Sequence, residues 1–264
     1  MADLRTTFDE DPELYHRARP DYPGELLDHL AEVAGIGPGA RVVEVGAGTG
    51  QATAALLARG ASVVAVELGA GMAGVLQRSL AGTPLHVVVS TFEEWAPPAE
   101  PFDALVAFTA WHWLDPAVRA AKAAAVLRPG GVLATVSTTH VAGRSDRSFA
   151  DVQRCYQRWD PAATEPGFRL PRAEELPDLV DEVDTSPLFD PPVHHRVTRD
   201  VGYSTRGYLD LLATYSSNRA LERQQVEGLL SCIGAVLDGE HGGRVTMRYL
   251  YRLRTARVRA PGGR

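Results

Sequence analysis

The chain has 264 residues, 45% of them hydrophobic and 23% charged, with a formal net charge of -6 at pH 7. That supports one sizeable core with an appended lid, excludes wholesale disorder, and argues against a nucleic-acid backbone as the main partner. Cys155 and Cys232 have no metal-type spacing, so neither a disulfide nor a metal site is expected, and without an apolar leader or membrane-length run the protein reads as cytoplasmic with no membrane partner.

Residues 1–24 form an N-terminal arm. It contains Tyr15-His16-Arg17-Ala18-Arg19-Pro20-Asp21-Tyr22-Pro23, whose prolines break any continuous helix and impose an extended turn. A helix is predicted from Glu25 to Ala34. Val42, Val43 and Val45 then read as a short buried strand that ends in Gly46-Ala47-Gly48-Thr49-Gly50, and Gln51–Arg59 reads as the next helix. Glycine at a strand-to-helix turn accepts positive φ and carries no Cβ. A small ligand can therefore lie against the backbone amides there.

The second strand, Ala61–Glu67, ends in a carboxylate, the residue type that can hold the two hydroxyls of a ribose. Leu85–Val89 is the third strand and Phe102–Phe108 the fourth. The fourth leads into the aromatic patch Trp111-His112-Trp113. Asp115 is expected to cap a helix reaching Leu127, with Arg128-Pro129-Gly130-Gly131 turning the chain into strand five, Val132–Ser137. Five strands alternating with helices predict a Rossmann-like, doubly wound α/β sheet with its ligand at the carboxyl edge. Residues 25–139 form that core. The proline-punctuated stretch 140–192, which includes Pro161, Pro166 and Pro171, reads as a lid inserted after strand five. Residues 193–264 supply closing helices and strands, completing seven strands in a mostly parallel sheet. Apolar residues alternate with the arginines between Arg244 and Val258, so a strand with one solvated face explains that basic run. His194 and His195 are adjacent and face opposite ways in a strand, so they make no paired metal site.

The G-x-G-x-G spacing of Gly46, Gly48 and Gly50 differs from the G-x-G-x-x-G of dinucleotide loops. It resembles the first motif of class I S-adenosylmethionine-dependent methyltransferases, the small-molecule type 11-like subgroup. The Y-x-x-x-R-P-x-Y-P phrase and the Arg128–Gly131 turn are also similar to elements of that family. The resemblance implies S-adenosylmethionine as cofactor and transfer of its methyl group to a small molecule, a carboxylate or specialised metabolite, by in-line displacement. It implies a cofactor site of Glu44, Gly46, Ala47, Gly48 and Gly50, with Glu67 on the ribose, and Leu68, Met72, Thr91 and Phe92 around the adenine. Thr91 stands where relatives commonly carry an acid. Thr109 joins this set from the tip of strand four, and Tyr15 and Arg19 from the arm.

His112 is the candidate base, needed only where the acceptor must lose a proton. Trp111, Tyr203, Tyr215 and Arg219 are the candidate acceptor contacts, although Tyr208, Leu211, Leu212 and Tyr215 also have the spacing of a buried helix stripe. The rival readings are a nicotinamide-dependent oxidoreductase and a non-catalytic cofactor- or partner-binding protein on the same fold.

Overall fold

The apolar runs become strands and the periodic segments between them helices. The computed structural model describes residues 8–144, 146–164 and 167–260. The first seven residues of the expected arm and Pro166 of the expected lid lie outside them.

In chain order the chain forms α1 (Pro12–Ala18), α2 (Gly24–Ala34), β1 (Arg41–Val45), α3 (Gln51–Ala58), β2 (Ser62–Glu67) and α4 (Ala70–Ser79). Then come β3 (Leu85–Val89), β4 (Phe102–Phe108), α5 (Arg119–Val126), β5 (Leu127–Val141), α6 (Asp146–Trp159) and α7 (Glu182–Thr185). The last elements are β6 (Val193–Ser204), α8 (Thr205–Leu212), α9 (Ser216–Arg219), α10 (Arg223–Glu240) and β7 (Arg244–Arg257). The sheet has seven strands in the order β3-β2-β1-β4-β5-β7-β6. Strand β1 pairs in parallel with β2 on one side and with β4 on the other. Chain order therefore reverses between β1 and β4, the place where open α/β sheets form a crevice beyond their carboxyl ends.

The chain divides into two compact units. One comprises Asp21–Thr138, Asp178–Val197 and the chain from Tyr251 onward; we call it the nucleotide unit because it holds the glycine turn. The other comprises the residues up to Pro20, Thr139–Pro177 and Thr198–Leu250; we call it the tyrosine unit. Strands β5, β6 and β7 each contribute residues to both. This division cuts the expected lid at Pro177, assigning 178–192 to the nucleotide unit.

In the nucleotide unit, Val42 and Val43 of β1 and Ala104, Leu105, Val106 and Ala107 of β4 are all completely buried. Each fully buried valine or leucine among them contributes about 1.5–3 kcal/mol. Helix α2 buries Leu26, Leu27, Leu30 and Ala34 and ends at Gly35, whose φ of 66° is the left-handed cap that glycine supplies.

Two local expectations need correction. The helix predicted from Asp115 starts only at Arg119: Asp115 instead makes a tight turn, its Oδ1 accepting from the Ala117 amide, while its own amide donates to Glu93 Oε1. The Arg128–Gly131 segment lies inside β5, not between helix and strand. The β4–β5 register jumps from Phe102↔Leu127 to Ala104↔Val132, so these residues form a bulge, with Gly130 at φ 75°.

The cysteine expectation is overturned in the tyrosine unit. Cys155 of α6 and Cys232 of α10 form a disulfide, because two helices far apart in sequence pack side by side there. The same helices are joined by His241 Nε2 to Asp151 Oδ2 at 3.0 Å and by the Arg154–Glu240 ion pair. Gly228 allows the close approach, since a Cβ there would stand 2.5 Å from the Trp159 indole. Alkylation of the native protein is expected to label neither cysteine before reduction and both after denaturing reduction. Loss of the bridge should lower stability by about 2–4 kcal/mol in urea titrations. Thiol labelling without reductant would leave the two sulfurs unbridged.

Candidate functional site

The glycine turn sits at the carboxyl end of β1, beside the β1–β4 reversal. Gly46, Gly48 and Gly50 have φ of 67°, 59° and 99°, a run that side chains with a Cβ rarely adopt. Two of them also have no room for one. A Cβ on Gly46 would come 2.5 Å from the Ala110 methyl, and on Gly50 2.5 Å from Leu76 Cδ1. Ala47 is buried against Ala65 and Leu76, which anchors the turn to β2 and α4.

The turn is tied to β2 by two of its amides. Gly46 N donates to Val66 O at 2.8 Å, and Gly48 N donates to Glu67 Oε2 at 2.8 Å. The other carboxylate oxygen, Glu67 Oε1, accepts from Gly69 N at 2.9 Å. One side chain at the tip of β2 thus bridges the glycine turn and the start of α4. Each carboxylate oxygen has two acceptor positions, so a hydroxyl can join an amide on the same oxygen. This donor and acceptor set fits the ribose of a nucleoside cofactor lying along bare glycine backbone.

Glu44 lies beneath the turn, 1% exposed, accepting from Thr53 Oγ1 at 2.6 Å. Burial pushes its pKa up to about 8 despite that hydrogen bond, and the nearby Glu67 charge pushes the same way. Between its ordinary 4.5 and about 8, the folded protein holds a proton that the unfolded chain has released. Stability is therefore expected to fall as pH rises through that window. Glu44→Gln, neutral at every pH, should flatten the slope and gain on the order of a few kcal/mol over the parent at pH 8. Urea midpoints at pH 5 and pH 8 check this; parallel losses in parent and variant would place the pH dependence elsewhere.

On the expected adenine side, Thr91 Oγ1 accepts from the Glu94 amide at 3.1 Å and forms a local turn. Phe92 is 2% exposed in the core, near Trp95 and below the Lys122 ammonium, so its ring is not presented at this edge. Met72 is likewise buried, in α4, whereas Leu68 is half-buried.

At the tip of β4, Thr109 has φ 54°, the one non-glycine residue with positive φ among the described residues. Its Oγ1 donates to Phe108 O at 2.7 Å and also meets Tyr22 Oη at 3.2 Å. Sequence reasoning did not place Tyr22 beside Thr109. The signal was present in the second tyrosine of Y-x-x-x-R-P-x-Y-P.

Trp111 and His112 follow on a short 3-10 turn, Trp111–Trp113. Trp111 is buried. Its Nε1 donates to Asp181 Oδ2 at 3.0 Å, its carbonyl accepts from Arg119 Nη1, and the Arg119 guanidinium lies over its ring. Asp181 also accepts from both Nη atoms of Arg254, and Arg119 pairs with Glu182. The acceptor role expected of Trp111 thus meets a side chain committed to a buried ion-pair network. His112 is exposed and leans on Trp113. Desolvation by the groups packed around it, with the Arg119 charge, holds its pKa below 6.5, so the neutral imidazole predominates at pH 7.

In the tyrosine unit, Arg19 is clamped. Its Nε donates to Thr214 Oγ1 at 2.9 Å and its Nη2 to Thr214 O at 3.1 Å, with the guanidinium over the rings of both Tyr15 and Tyr215 at 4.8 Å. Tyr203 Oη lies 3.4 Å from Tyr249 Oη. Burial pushes the phenols of Tyr203, Tyr208 and Tyr215 up, so they are neutral hydrogen-bonding groups at physiological pH. Arg219 donates to Ala213 O and lies 4.0 Å from Glu10. Tyr15, Arg19, Tyr203, Tyr215 and Arg219 therefore fall in this unit, and the remaining predicted residues in the nucleotide unit.

Comparison with known proteins gives these arrangements a context. Residues 42–131 match the family described as a methyltransferase domain. An uncharacterized methyltransferase of Mycobacterium tuberculosis is 39% identical over 137 residues, 52% of this chain and 54% of its own length. The chain thus spans about half the length of its curated Mycobacterium relatives. Among solved structures, a putative type II methyltransferase from Anaeromyxobacter dehalogenans aligns with a TM-score of 0.60 at 22% identity, covering 91% of this chain and 97% of that one. A Haemonchus contortus phosphoethanolamine N-methyltransferase, solved with phosphomonomethylethanolamine and S-adenosylhomocysteine, aligns at 0.53 and 16% identity, over 98% of this chain and 61% of that one. At such identities these two likenesses establish the fold.

Proposed function

We propose that this chain is a class I S-adenosylmethionine-dependent methyltransferase that methylates a small-molecule acceptor, a reading supported by the match of residues 42–131 to a methyltransferase domain. The observation that carries this reading is Glu67, poised at the tip of β2 with its two oxygens bridging the Gly48 and Gly69 amides. In this reading Glu67 holds the ribose, and Gly46, Ala47, Gly48 and Gly50 lie along the cofactor. Leu68 and the Thr91–Phe92 backbone border the adenine, and Glu44 supports the turn from below.

S-adenosylmethionine, when bound, supplies an electrophilic methyl group on a sulfonium. The chain's part is to bind, orient and exclude water, for which correct placement alone is worth several kcal/mol of barrier. Within the tyrosine unit, Tyr15 and Arg19 suit a carboxylate, and Tyr203, Tyr215 and Arg219 suit a polar acceptor. The neutral phenols of Tyr203 and Tyr215 suit hydrogen bonding to a polar acceptor. His112, neutral at pH 7, is competent to take a proton from an acceptor that must lose one, and a carboxylate acceptor needs no base. The net charge of -6 favours a small acceptor over a nucleic acid. Among the described residues no helix is long and apolar enough to cross a membrane. A cytoplasmic location is part of this reading, and the Cys155–Cys232 disulfide would have to persist against reducing conditions there.

Calorimetry with S-adenosylhomocysteine, S-adenosylmethionine and NAD tests the cofactor reading: binding of NAD with no response to the sulfur compounds would overturn it. Transfer of a labelled methyl group into a metabolite extract tests catalysis. Cofactor binding without transfer across broad extracts would favour the non-catalytic alternative.

A further inference from the structure

The tyrosine unit contains a cavity of about 460 Å³ whose lining comes entirely from residues between 142 and 175. That volume falls in the range of small-molecule sites, about 300–1,000 Å³. One wall is the start of α6, with Asp146, Phe149 and Ala150, and the other is the segment 168–175. None of the residues proposed to meet the cofactor or the acceptor lines it.

The apolar part of the cavity is aromatic. Phe149 is half-buried and Phe168 is 48% exposed, with ring centroids 5.8 Å apart and planes inclined at 51°. Phe149 is backed edge-on by His140 at 5.4 Å. Burial pushes the His140 pKa down to about 4, so that ring adds no charge at pH 7.

The second wall is held in place by its own hydrogen bonds. Ala142 N donates to Pro171 O at 2.8 Å, and Arg172 N donates to Glu175 Oε2 at 3.0 Å. The Arg169 guanidinium pairs with both Glu175 oxygens, at 3.0 and 3.2 Å, so those two charges cancel. Two lining charges are left, Asp146 on one wall and Arg172 on the other. Asp146 Oδ1 accepts the Gly143 amide at 2.6 Å, yet neither Asp146 nor Arg172 has an ion-pair partner within 4.0 Å among the described residues. Asp146 acts on Arg248, and Arg172 on Glu175, only through space. Both side chains are exposed, so a ligand can reach them from solvent.

A carboxylate and a guanidinium on facing walls, beside aromatic surface, match a ligand with one cationic end, one anionic end and a flat apolar body. We propose that this cavity binds an aromatic zwitterion of the α-amino-acid class, its carboxylate on Arg172, its ammonium on Asp146 and its ring against Phe149 and Phe168. The site is additional to the glycine turn and does not rest on the cofactor reading.

Calorimetry of the full chain with L-phenylalanine tests this, alongside 3-phenylpropionate, which lacks the ammonium, and phenethylamine, which lacks the carboxylate. Phenylalanine is expected to bind at least about tenfold more tightly than either. Arg172→Ala should weaken phenylalanine and phenylpropionate about tenfold and leave phenethylamine within about twofold. Asp146→Asn, which keeps the Oδ1 acceptor for the Gly143 amide, should weaken phenylalanine and phenethylamine and spare phenylpropionate. Phe168→Ala should weaken every one of these ligands. Thermal melting establishes that each variant is folded. Absence of phenylalanine binding to the parent, or binding that these substitutions leave unchanged, would overturn the proposal. So would displacement of phenylalanine by S-adenosylhomocysteine, because the two would then share one site.

Discussion

Replacing Asp181 with alanine is expected to destabilise the nucleotide unit by about 3–5 kcal/mol, the cost of leaving a buried charge without its partner. Asp181 receives both Nη atoms of Arg254, at 2.6 and 2.8 Å, together with the Trp111 indole and the Val183 amide. The Arg254 side chain is 4% exposed, so water cannot take over when the carboxylate is removed. Asp184 Oδ2 at 3.0 Å would retain part of the pairing and hold the loss near the lower figure. An internal control is available in Asp190, whose ion pair with Arg259 is about half exposed on both sides; Asp190→Ala should change stability by less than about 1 kcal/mol. Urea titration of the two variants reads the difference, and equal small losses would mean that Arg254 is solvated by another route. Burial raises the Asp181 pKa, but the Arg254 hydrogen bonds and charge, with the Val183 and Trp111 donors, bring it below its ordinary 3.8. Its share of the stability is therefore complete above the ordinary value and is lost as pH falls through the lowered one.

Glu67→Ala is expected to weaken S-adenosylhomocysteine binding by at least about thirtyfold, or 2 kcal/mol, through two losses at once. The ribose hydroxyls lose their acceptors, and the Gly48 and Gly69 amides lose theirs, so the turn itself is less well held. Glu67→Gln separates these. It keeps the side-chain shape and one carbonyl acceptor but replaces the other oxygen with a donor, so binding should fall between parent and alanine variant. Calorimetry at fixed pH, with melting curves to establish folding, gives both numbers. Unchanged affinity in the alanine variant would remove Glu67 from the ligand.

The centre of the sheet was legible because β1 and β4 are buried on both faces. Val42–Val45 and Phe102–Phe108 therefore appear as apolar runs broken only by Glu44 and Asp103, and the glycine turn follows from spacing alone. What was not legible depends on partners distant in sequence. Nothing near Cys155 announces Cys232, 77 residues away, and their pairing follows from helix packing that no local pattern encodes. Trp111 looked like an exposed acceptor contact because aromatic residues at a strand tip commonly line a crevice. Its burial is decided by Asp181 and Arg254, which lie 70 residues and more beyond it. The place of Tyr22 was missed for a related reason: its hydrogen-bond partner, Thr109, lies 87 positions on. Phe92 shows the reverse case, where a residue expected to cover a ligand was drawn into the core by neighbouring aromatic rings.

Three glycines in five residues suggest a floppy loop that sets only around a guest, yet the amides of Gly46 and Gly48 are already anchored to β2. Much of the ordering that a ligand would otherwise impose is built into the folded chain. Association should then lose little conformational entropy at the turn, and ligand contacts there should translate into affinity with little discount. Those two amides should exchange with deuterium slowly in the free protein, on the timescale of the surrounding strands, and entry of the ligand should resemble docking onto a rigid ledge.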